Sequence, residues 1–198
     1  MTDVLPGLDV VAVSRGEGDA ATAKVIGIDL SLTATGMSDG RETWVVPSHG
    51  KADANLTQRW HRLRTLGRAI CERVPTDTDL VLIEGPAFSS RDGHAHDRSG
   101  LWWLVANSLL VAHLSVVEVT PGSLKFYATG NGAAKKGAMV DAAARRYPHV
   151  HTAGDDNRVD ALFLAALGID HLTGAHAVPE SHRARLDRIH WPTDRRQP

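Results

Sequence analysis

The chain has 198 residues, 42% hydrophobic and 23% charged, a size and composition suited to one globular domain, and no apolar run approaches the ~20 residues that cross a bilayer. A formal net charge of −1 excludes attraction to nucleic acid by bulk charge, so any such binding must come from local patches; residues 59–73 and 183–196 are basic. Cys71 is the single cysteine, which excludes an internal disulfide and a cysteine-built zinc site, and its helical context marks it as a small core residue.

Residues 1–23 are rich in Gly, Ala and Asp and lack the basic start and apolar run of a signal peptide, so they are expected to be an N-terminal extension of a cytoplasmic protein. From Lys24 the pattern becomes regular. Residues 25–30, 35–38 and 42–46 read as three strands of an antiparallel meander. Leu56, Trp60, Leu63, Leu66, Ile70 and Val74 recur every three or four residues and predict an amphipathic helix over 56–74, stopped by Pro75. Residues 80–83 form a fourth strand that runs into Glu84-Gly85-Pro86 and is expected to be parallel. Residues 87–99 have loop chemistry, 101–113 a helical pattern, and 114–119 the pattern of a fifth strand. Thr120-Pro121 supplies an N-cap and a first-turn proline for a short helix to about residue 127. After the break Gly130-Asn131-Gly132, a helix is predicted over 135–147, ended by Pro148, and a last one over 155–172. In that last helix Ala161, Ala165, Ala166 and Gly168 are small enough to let it lie close to a sheet. The predicted class is α/β: a mixed five-stranded sheet, antiparallel meander plus parallel strands, flanked by helices. The domain spans 24–174, and a basic tail follows at 175–198.

Three acidic residues sit where such a chain can gather them. Asp29 ends one apolar strand, Glu84 ends another, and Asp160 lies in an apolar helix, where a lone carboxylate would cost on the order of several kcal/mol. Taken alone, Asp29 could simply cap a turn. Gathered carboxylates repel one another, and a hard divalent cation is the natural neutraliser, which points to metal-dependent phosphate chemistry. Asp156 and Asn157 lie four and three residues before Asp160 and can share its helix face. Asp155 and Asp156 have the alternative of serving as N-terminal capping charges.

Three blocks, Ile26-Gly27-Ile28-Asp29-Leu30-Ser31 with Thr35-Gly36, Leu82-Ile83-Glu84, and Asp156-Asn157-Arg158-Val159-Asp160-Ala161-Leu162, resemble the RuvC-type Holliday junction resolvases of the RNase H-like nuclease group. The resemblance covers residues 24–172. It implies an RNase H-like fold, a homodimer, branched DNA with a four-way junction as substrate, and two Mg²⁺ per site, replaceable by Mn²⁺, on Asp29, Glu84 and Asp160. It implies paired phosphodiester hydrolysis leaving 5′-phosphate and 3′-hydroxyl ends. Lys125 and the run Gly130-Asn131-Gly132-Ala133-Ala134-Lys135-Lys136 resemble the family's paired lysines around a Gly-x-Gly turn. Lys125, Lys135 and Lys136 are therefore expected on DNA phosphates, with Lys136 catalytic through charge on the transition state. Two positions depart from the family. Its second terminal aspartate is Asn157 here, which leaves Asp156, Asn157 or a three-carboxylate site as the alternatives. The aromatic expected three residues after Glu84 is Ala87, with Phe88 one later; Phe88 is expected to stack on DNA, with packing under its loop as the alternative, and Arg91 of that loop to contact DNA.

Other features stay open. Trp102 and Trp103 point about 100° apart on a helix, so one can face a partner subunit or lie beneath the Phe88 loop. His94-x-His96-Asp97 reads as exposed or phosphate-contacting rather than a zinc site. The basic tail either holds DNA backbone or is solvated. The block around Asp29 also resembles the first phosphate loop of actin-like ATPases, a class that needs a second such domain. An RNA-processing or flap and fork nuclease shares every catalytic feature. Arginine in excess of lysine suggests a GC-rich genome, that of a phage or its bacterial host.

Overall fold

The computed structural model describes residues 23–86, 94–175 and 177–192. Residues 1–22 of the expected extension over 1–23, and the segment carrying Phe88 and Arg91, lie outside the described residues. Strands β1 (Val25–Asp29), β2 (Ala34–Ser38) and β3 (Thr43–Pro47) form the meander, and β4 (Leu80–Glu84) and β5 (Val116–Val119) extend it in parallel, giving the order β3-β2-β1-β4-β5. The sheet is thus mixed, as predicted.

Helices α1 (Leu56–Cys71) and α2 (Ala95–Val111) cover one face, and α3 (Pro121–Thr129), α4 (Lys136–Arg146) and α5 (Asp156–Thr173) the other. Strand alternation divides the core accordingly. Val25, Leu80 and Leu82 point toward Leu162, Phe163 and Leu124, whereas Ile26, Ile28, Val81 and Ile83 point toward Leu66, Ile70, Leu101 and Val105. Cys71 lies buried in this second cluster.

Two glycines decide how close α5 comes. A Cβ on Gly27 would collide with the carbonyl oxygen of Ala161, and one on Gly36 with that of Asn157. Only glycine at both positions lets the α5 backbone touch β1 and β2. Gly168, farther along α5, sits similarly tight against Val25 and Leu82.

Some boundaries moved. The predicted helix over 101–113 starts at Ala95, inside the segment read as loop, because Asp97 is buried and its carboxylate is clasped by the fork of Arg59 on α1. Its end at Val111 is followed by His113 in a left-handed conformation (φ 59°), so Leu114 is buried before β5 begins at Val116. Helix α1 closes at Cys71, ahead of Pro75.

The basic segment after α5 is held against the core rather than solvated through residue 192. Val178 and Ile189 are buried against α3, α4 and α5, two 3-10 turns (Glu180–Arg183, Leu186–Arg188) carry the chain along, and Trp191 stacks on His171 at 3.7 Å. Buried Asp170 fastens the start of this strap, accepting from Tyr127 Oη (2.7 Å) and from the Ala177 amide (3.0 Å).

Candidate active site

The parallel register of β1 and β4 pairs Ile28 with Ile83, so Asp29 and Glu84 follow side by side at the same sheet edge. Both face α5. The close approach at Gly27 and Gly36 carries Asp160 to them, and one carboxylate oxygen from each of the three residues lies within 4.8 Å of the others. This is the one such group of potential metal ligands among the described residues.

The site is electrostatically strained. Burial, then repulsion from Glu84 and Asp160, holds the Asp29 carboxyl well above the usual carboxylate range. Burial also raises Glu84, opposed by the hydrogen bond it shares with Asp29 and by Lys125. Asp160 is pushed up to about 7, first by burial and then by Glu84. Three carboxyls that resist ionisation together, with oxygens convergent and hard, are a donor set that fits a hard divalent cation.

A cavity of about 190 Å³ opens beside them, lined by Glu84, Lys125, Lys136, Asp156 and Asp160. Lys136, at the first turn of α4, is exposed and donates to Asp156 (2.7 Å), so Asp156 reaches the cavity as a lysine partner. Lys125 comes from α3, whose Thr120 cap and Pro121 stand as the sequence predicted. Lys135 is exposed just ahead of α4 and has no place in the cavity lining. Asn157 turns away: its amide donates to the Ala34 carbonyl (2.8 Å) and ties α5 to β2. Asp155 is the N-cap of α5, accepting from the Arg158 amide. His94 and His96 are exposed beside the Arg59–Asp97 pair, in no group of potential metal ligands among the described residues.

The sequence did not reveal what secures the Glu84 backbone. Trp102 Nε1 donates to the Glu84 carbonyl (3.0 Å) while its ring meets Trp103 edge-on, leaving Trp103 66% exposed. The periodicity of α2 shows an aromatic pair but carries no signal for a bond to a strand end.

The fold defined by this sheet and its flanking helices is RNase H-like. The chain is similar to the structure of Thermus thermophilus RuvC, with a TM-score of 0.56 and 18% identity over 76% of this chain and 96% of that one. It is also similar to T. thermophilus RuvC in complex with Holliday junction substrate, at a TM-score of 0.54 and 18% identity over 76% and 93%. No family model and no curated protein matches the sequence.

Proposed function

We propose that the chain is a metal-dependent endonuclease of branched DNA, a crossover junction endodeoxyribonuclease that acts in the cytoplasm as a homodimer on four-way junctions. The observation that carries this reading is the convergence of Asp29, Glu84 and Asp160, flanked by Lys125 and Lys136, in a fold shared with a protein seen bound to a Holliday junction.

Asp29, Glu84 and Asp160 would hold the metal, taken as two Mg²⁺ per site or Mn²⁺ in their place, with Asp156 as the further donor within reach of the cavity. A bound divalent cation would supply Lewis-acid polarisation of the phosphoryl group and a water of lowered pKa. The chain's own part is positional. β1 and β4 present two carboxylates rigidly, α5 adds the third, and the buried setting excludes bulk water from behind them. Lys136 and Lys125 draw the phosphate into the cavity, and Lys136 offsets charge that builds on the phosphoryl oxygens during in-line attack. Lys135 offers a further phosphate contact outside the cavity. Phe88 and Arg91 belong to the segment after Glu84, and the reading assigns them to DNA. Cleavage would leave 5′-phosphate and 3′-hydroxyl ends.

A junction is two-fold symmetric, so paired cuts call for two sites in a symmetric dimer. Trp103, Leu110 and Val111 expose an apolar row along α2 that suits such an interface.

The test is incubation with a labelled immobile four-way junction, a flap, a fork, a linear duplex and an RNA strand in Mg²⁺, Mn²⁺ or EDTA, beside Asp29→Asn. Metal-dependent, paired junction cuts that vanish in Asp29→Asn are expected. Equal cutting of flaps and forks would replace the resolvase with a broader branch nuclease. No metal-dependent cutting of DNA or RNA would overturn the reading.

A further inference from the structure

A second cavity, about 320 Å³, lies on the opposite side of the sheet from Lys125 and Lys136, lined among others by His49, Lys51, Arg59, Arg62, His94 and Asp97. Its cations outnumber its carboxylates, Lys51, Arg59 and Arg62 against Asp97 alone, in a chain whose net charge is −1. Arg59 is committed to Asp97, with Nε 3.0 and 3.1 Å from the two carboxylate oxygens, which fixes the floor of the cavity. Arg62 is also fixed. Its Nε donates to Ser48 Oγ (3.1 Å), a terminal nitrogen donates to the Leu32 carbonyl, and its guanidinium fills the space a side chain at Gly50 would need. Lys51 and His49 are exposed at the rim.

The cavity's position relates it to the carboxylates. The antiparallel register pairs Ala34 with Pro47, and the Ser48 amide donates to the Thr33 carbonyl (2.8 Å), so the loop holding His49 and Lys51 leaves the sheet at the edge where Asp29 ends β1. Two strand spacings separate β1 from β3, roughly 10 Å at about 4.8 Å each. Arg62, by holding Leu32, bridges the cavity to the turn that follows Asp29. The carboxylates themselves repel a phosphodiester, and Lys125 and Lys136 offset that repulsion on the α3 and α4 side only. A strand crossing that end of the sheet would pass from Lys125 and Lys136 on one side to Lys51 and Arg62 on the other.

From this geometry we infer that the groove between the β3–α1 loop and the start of α2 is a phosphodiester-binding site, holding the nucleic-acid backbone at a point beyond the phosphate at the carboxylates. Lys51 and His49 make the contact, and Arg62 sets the groove's shape. The inference rests on the nuclease reading above and adds to it a second anchoring point that keeps the strand in register.

The experiment measures binding of a labelled four-way junction by fluorescence anisotropy between 50 and 200 mM salt. All proteins carry Asp29→Asn in EDTA to silence cleavage, and the background protein is compared with added Lys51→Ala and Lys51→Glu. Lys51 is exposed, so thermal melting should be unchanged and confirms folding. One lost phosphate contact lowers the slope of log affinity against log salt by about 0.9. Lys51→Ala is expected to show that decrease with about a fivefold to tenfold loss of affinity at 100 mM salt, and Lys51→Glu a larger loss. Lys125→Ala serves as the reference for a contact on the other side. If the background protein binds the junction and both Lys51 variants match it in slope and affinity, the groove is a structural basic rim and the inference is overturned. If the background protein binds no branched, duplex or single-stranded nucleic acid at any salt, the nuclease reading itself falls, and this inference with it.

Discussion

Asp29 is 9% exposed, and burial with repulsion from Glu84 and Asp160 makes its carboxyl costly to ionise. Without metal, Asp29→Asn should therefore stabilise the fold, because an amide removes the repulsion while keeping the size. The expected gain is about 1–2 kcal/mol at pH 8 in EDTA, or roughly 2–8 °C in Tm, together with loss of cleavage. A lower Tm in calorimetry would show that the carboxylate holds the fold together. Asp160 makes a pH prediction. Its folded value of about 7 lies above the ordinary aspartate value, so the protonated form is favoured by folding. Its contribution is fully present below about pH 4 and is lost as pH rises through 7. In EDTA the Tm difference between wild type and Asp160→Asn should thus turn against the wild type between pH 4 and 7; a constant difference would contradict the electrostatic account. The three acids were legible because strand ends and an apolar helix leave a carboxylate no ordinary role. The choice between Asp156 and Asn157 was not, since spacing alone places both near Asp160. Tertiary contacts separate them: Lys136 takes one and Ala34 the other.

At the scale of elements, the antiparallel meander and the parallel pairing of β4 were readable from apolar runs and the helices between them. The start of α2 was not, because the sequence from His94 to Ser99 is polar enough to read as loop, and a distant partner, Arg59, does most to make a buried Asp97 tolerable there. Likewise the tail's basic composition concealed Val178 and Ile189, two apolar residues too far apart to show a period. The seam between α5 and the meander is the least forgiving contact. Gly36→Ala should cost about 3 kcal/mol or more, since backbone must yield on both sides, and should weaken Mn²⁺-dependent thermal stabilisation by displacing Asp160. Gly137, within α4 with nothing near a would-be Cβ, is the control: Gly137→Ala should stabilise by about 0.5–1 kcal/mol. Chemical denaturation of both variants checks the contrast, and equal effects would refute the close-approach argument.

For the whole molecule, paired cutting requires two copies held face to face. Trp103→Glu places a charge in the exposed row of α2, where a monomer would tolerate it at the cost of little more than the edge contact with Trp102. The expected result by light scattering is a dimer for the wild type and a monomer for the variant, which would then nick junctions one strand at a time. A wild-type monomer at working concentration would remove the symmetric interface from the account and leave single-strand incision as the activity.

The site draws on both ends of the folded region, and this has a consequence during synthesis. Asp29 and Glu84 emerge from the ribosome well before α5, which follows all five strands in the chain and brings the third carboxylate. At roughly 5–20 residues per second, the nascent chain spends several seconds with two of the three acids made and the third still to come. A chain ended before α5 therefore lacks Asp160 and the helix that packs on β1 and β2, so that the three-carboxylate group forms only once translation has passed the last long helix.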